Sequence, residues 1–124
     1  MPDLDRGEPR MISVLIIFAM GFPMGYANAT LALLNTAYPC HNFTTTTHDA
    51  SLQFNVNTDT GCGAGAGGCY SRRVITMRPE YWGKWSAYHN EVILHETAHY
   101  LGFNVDNPKV NATLTQRYRE KYCR

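Results

Sequence analysis

His95, Glu96 and His99 stand in the order His-Glu-x-x-His, inside the breaker-free stretch 86–101 (SAYHNEVILHETAHYL). On an α-helix, residues i and i+4 share a face about one turn apart, so two imidazoles at this spacing can reach one metal ion. Glu96 lies about 100° around the helix from His95, where it approaches the ion's open side without ligating it. From there it would take a proton from a metal-activated water and pass it to a leaving amine. The pattern points to zinc-dependent peptide hydrolysis, with His95 and His99 as ligands and Glu96 as general base. His41, His48 and His89 lack such spacing and read as surface or hydrogen-bonding residues.

These side chains need a helix, and 86–101 has no Pro or Gly and length for about four turns. Ser86 is the expected N-cap. Leu94, Ala98 and Leu101 form one stripe, with Tyr88 and Val92 on a neighbouring one, so the helix is expected to be largely buried. Gly102 should end it by adopting the left-handed conformation. Upstream, Leu52, Phe54 and Val56 alternate with Ser51, Gln53, Asn55 and Asn57, the mark of a half-buried strand. Residues 61–68 (GCGAGAGG) read as a structural loop, and 70–77 (YSRRVITM) as a second strand. Residues 114–122 look helical, with Arg117, Arg119, Glu120 and Lys121 on an exposed charged face.

A catalytic zinc usually keeps three protein ligands and one position for water. Residues 95–103 (HETAHYLGF) resemble the zinc motif of the metzincin peptidases, most of all the snapalysin branch, small secreted enzymes of bacteria. In metzincins the third ligand follows the glycine by three residues, which here is Val105, a residue that cannot bind zinc. In the snapalysin branch that ligand is Asp, and Asp106 stands one place further on, so the resemblance implies Asp106 as third ligand. The similarity runs over about residues 70–106, through the strand at 72–77, the aromatic pair Tyr81 and Trp82, and the helix. It implies an α+β fold, a small metzincin-like domain with a mixed, antiparallel-edged sheet packed on an active-site helix and substrate extended along the edge strand. No methionine follows Met77, so the methionine turn of the family has no counterpart.

The whole chain of 124 residues, 44% apolar and 17% charged, fits one compact domain. Eleven basic against ten acidic residues, with no basic run, exclude nucleic acid as a partner. Sparse, scattered carboxylates give no support for calcium. Residues 11–22 (MISVLIIFAMGF) are too short to span a bilayer; with Arg6 and Arg10 before them and Ala27-Asn28-Ala29 after, they resemble an export leader. We therefore expect a leader over 1–29, cleavage after Ala29, and a single peptidase-like domain over 30–124. Such a product would be secreted, monomeric and free of stable membrane association, with protein or peptide as its partner. Cys40, Cys62, Cys69 and Cys123 form an even set in an exported chain and imply two disulfides. Of three pairings we favour Cys62 with Cys69, across the Gly-rich loop, and Cys40 with Cys123, tying distant segments together.

Two rival readings stand beside this one. In a gluzincin-like peptidase the third ligand is a Glu on a later helix, which makes Glu120 the candidate. Alternatively, the chain is a secreted, disulfide-rich binding protein or effector that keeps the helix without turnover.

Overall fold

The computed structural model describes residues 11–63, 66–78, 87–104 and 112–123. They form an α+β fold with one five-stranded mixed sheet and, in chain order, β1 (Ile12–Phe18), α1 (Met24–Ala37), β2 (His41–Thr45), β3 (Leu52–Val56), β4 (Gly68–Ser71), β5 (Val74–Met77), α2 (Ala87–Tyr100) and α3 (Ala112–Tyr122). The sheet order is β2-β1-β3-β5-β4, parallel throughout except for β4, which runs antiparallel to β5 along one edge. The expected mixed, antiparallel-edged sheet packed on the motif helix is thus present.

Strand alternation decides which face is covered. The registers place Val14 beside Phe43, Ile16 beside Leu52 and Phe54 beside Ile75. All six are buried, while Ser13, Leu15, Asn42 and Thr44 on the opposite face are exposed. Helices α1 and α2 pack against each other, α1 on β2 and α2 on β4 and β5. Burying this single apolar face is the main source of stability open to so short a chain.

Residues 11–22 lie within the leader expected over 1–29; in this structure they supply β1 and the turn into α1. β1 is an interior strand, bonded on both edges, and Val14 and Ile16 are core residues. Six of the seven residues of β1 are apolar, Ser13 being the exception, so composition alone fits a strand and a leader equally. Cleavage after Ala29 would remove β1 and the beginning of α1. No described helix is long and apolar enough to cross a membrane.

The single strand expected over 70–77 is two. Arg72 and Arg73 both have positive φ, 51° and 68°, and turn β4 back onto β5 in a two-residue hairpin. Such a turn usually carries Asn or Gly, and two arginines give no such cue. Both disulfides match the favoured pairing, Cys40–Cys123 and Cys62–Cys69, each with Cα atoms 5.5 Å apart.

Candidate metal centre

Helix α2 ends as its sequence requires. Gly102 takes φ +94°, its N–H donates to the His99 carbonyl at 3.0 Å, and the Phe103 N–H donates to the Ala98 carbonyl at 2.9 Å. This is the Schellman closure that glycine permits. The Leu101 carbonyl accepts from Lys121 Nζ at 3.1 Å and from the Tyr122 hydroxyl at 2.7 Å, so α3 locks the end of the motif helix. On its other flank, the Tyr38 hydroxyl donates to the Leu94 carbonyl at 2.7 Å, one residue before His95. The motif is therefore held by the end of α1 and by α3.

His95, Glu96 and His99 converge. Their ligand atoms all lie within 4.8 Å of one another, and among the described residues they are the group of His, Cys, Asp and Glu that could hold a metal ion. The two Nε2 atoms are 3.2 Å apart, with the rings perpendicular. Two nitrogens bound at about 2.0–2.1 Å to one tetrahedral ion would be separated by about 3.3 Å, so the pair is already spaced as ligands. His95 Nε2 is 3.9 Å from the Glu96 carboxylate, beside the nitrogens and further off than they are from each other.

Glu96 is buried, 8% exposed, against β4. Burial pushes its carboxyl above the ordinary range, opposed by the neighbouring His95 and His99 and by the backbone N–H of Tyr70. Gly68 makes this approach possible: a Cβ there would stand 2.6 Å from Val92 Cγ1 and 3.5 Å from Glu96 Cγ. The three side chains open into a cleft of about 690 Å³, walled by Gly67, Gly68 and Tyr70 on one side and by Tyr88, Glu91 and Val92 of α2 on the other. Cys62 also borders it, so the Cys62–Cys69 disulfide fixes one wall.

Asp106, the third ligand implied by resemblance, lies outside the described residues, as do Ser86, Tyr81 and Trp82. Glu120 is exposed on α3 and is not part of the converging group. His41 and His89 are buried and His48 is exposed; none joins the group. Sequence reasoning did not single out Tyr70, Gly68 or Glu91. The hairpin that brings β4 beside α2 had no turn signal, although Glu91 lies four residues before His95 and shares its helix stripe. Neither family models nor curated proteins yield a match to this chain.

Proposed function

We propose that this chain is a secreted zinc-dependent endopeptidase of metzincin type, with His95 and His99 as ligands, Asp106 as third ligand and Glu96 as general base. The observation that carries this reading is the convergence of His95, Glu96 and His99 in a cleft beside an edge strand. Two imidazoles and a carboxylate suit zinc, and the ion's contribution when bound is Lewis acidity toward a water and a carbonyl. Glu96 holds and moves the proton. The Tyr70 N–H orients the carboxylate. β4 is the outer strand of the sheet, and its backbone offers an extended peptide a place to add as a further strand. The two disulfides support an oxidising, extracellular setting.

The test combines metal content with two readouts. Wild-type protein dialysed against a weak chelator should retain one zinc per chain, and zinc should raise its thermal unfolding temperature. Glu96→Gln should keep the zinc and lose peptide hydrolysis by about a hundredfold to ten-thousandfold. Unchanged hydrolysis would overturn the assignment of Glu96. Asp106→Ala should weaken zinc binding and Glu120→Ala should not; the reverse would select the gluzincin-like arrangement. Zinc held firmly with no peptide cleaved would leave a metal-binding module rather than an enzyme.

A further inference from the structure

The converging triad occupies one part of the cleft, and the remainder has a chemistry of its own. Glu91 sits on the stripe of α2 that carries His95 and His99, about 6 Å along the axis before His95. Tyr88 lies about one turn further on and is 37% exposed. A Cβ at Gly67 would overlap the Tyr88 hydroxyl, so this ring reaches across from α2 to the opposite wall and closes that end. Glu91 is half-buried between the closed end and the histidine pair. Among the described residues no Lys or Arg lines the cleft, and no ion pair joins Glu91 to another of them.

A carboxylate in a cleft whose described lining carries no Lys or Arg, beside an aromatic ring, suits a positive group. We infer that Glu91 and Tyr88 form a subsite for an ammonium or guanidinium group of a bound peptide. An extended peptide advances about 3.3 Å per residue, so the group lies within about two or three residues of the bond held at the histidines. Two sources supply this chemistry, a Lys or Arg side chain and a free amino terminus. The inference deepens the peptidase reading and rests on it for the word substrate, but the cation site itself is a property of the cleft.

The test measures binding as well as cleavage. Fluorescently labelled, N-acetylated and C-amidated peptides of Ala and Ser, with one Lys moved through the sequence, are titrated into the full-length Glu96→Gln protein with and without zinc. Matched peptides carry Ala or Glu in its place, and a second set has a free amino terminus. One Lys position should bind about tenfold to a hundredfold tighter than its Ala counterpart, the range of one charge-assisted pair. Glu91→Gln should erase that ratio, and Glu91→Lys should invert it toward the Glu peptide. A gain confined to free amino termini would identify the amino terminus as the group received. Equal binding of Lys, Ala and Glu peptides with either terminus, or a ratio that survives Glu91→Lys, would overturn the proposal. Wild-type protein that cleaves nothing while showing the Glu91-dependent ratio would refute the peptidase and keep the cation site. Cleavage without the ratio would do the opposite.

Discussion

The Tyr118 hydroxyl and Nδ1 of His41 are hydrogen-bonded across 2.7 Å, joining residues 77 positions apart in the chain. The same hydroxyl accepts the Cys40 N–H at 3.0 Å. Burial lowers the His41 pKa from the ordinary 6.5. Between the lowered folded value and 6.5 the unfolded chain therefore binds more protons than the folded one. Stability from neutral His41 is complete above 6.5 and declines as pH falls through that value toward the folded one. Urea unfolding at about pH 7.5 and about pH 5 should show the loss, and His41→Gln should show less of it. Tyr118→Phe should cost about 1–3 kcal/mol at neutral pH, because it strips partners from a buried N–H and a buried ring nitrogen.

Gly68 sets the distance between β4 and the motif helix. Gly68→Ala should destabilise the fold by about 1–3 kcal/mol, since the new methyl meets Val92 and displaces α2 from the edge strand. The second substitution Val92→Ala should recover part of this loss by removing the clashing methyl. Thermal unfolding of the single and double variants in one cycle measures the coupling, and simple additivity would refute the contact.

The two disulfides should differ in worth. Cys40–Cys123 closes 83 residues and Cys62–Cys69 closes 7. In the chain-entropy account these contribute about 4.5 and about 2.4 kcal/mol. Paired Cys→Ala replacements followed by chemical unfolding should rank them in that order. The shorter link should matter more for peptide and metal affinity, because Cys62 borders the cleft.

Residues 30–124 alone should not fold. They lack β1, which fills the sheet between β2 and β3, together with the buried Phe22 and Ala27. Circular dichroism and amide dispersion in NMR should show a native state for 11–124 and none for 30–124. A folded 30–124 that retains zinc would overturn this prediction and support cleavage after Ala29.

Much of the site was legible because its determinants are local. The motif's spacing, the absence of breakers and Gly102 place α2 almost to the residue, and the alternation of Leu52, Phe54 and Val56 marks β3 as Leu52–Val56. What escaped is non-local. Residues 12–18, apolar but for Ser13, read equally as part of a leader or as a strand until β2 and β3 pair with them. His41–Thr45 gave no clear strand signal, since it becomes one only by pairing with β1. Arg72 and Arg73 hold a turn that their side chains do not advertise, and through it Tyr70 and Gly68 come to face Glu96.

The sheet order also has a kinetic side. β4 and β5 are joined by a tight turn and packed on α2, so the walls of the cleft form from segments close in sequence. The β1–β2, β1–β3 and β3–β5 pairings are parallel, and each must close a longer loop before any ladder bond rewards it. Loop-closure entropy thus falls on the parallel pairings and spares the β4–β5 hairpin that walls the cleft. Folding should be limited by the docking of β1, with the β4–β5 hairpin and the motif helix structured ahead of it.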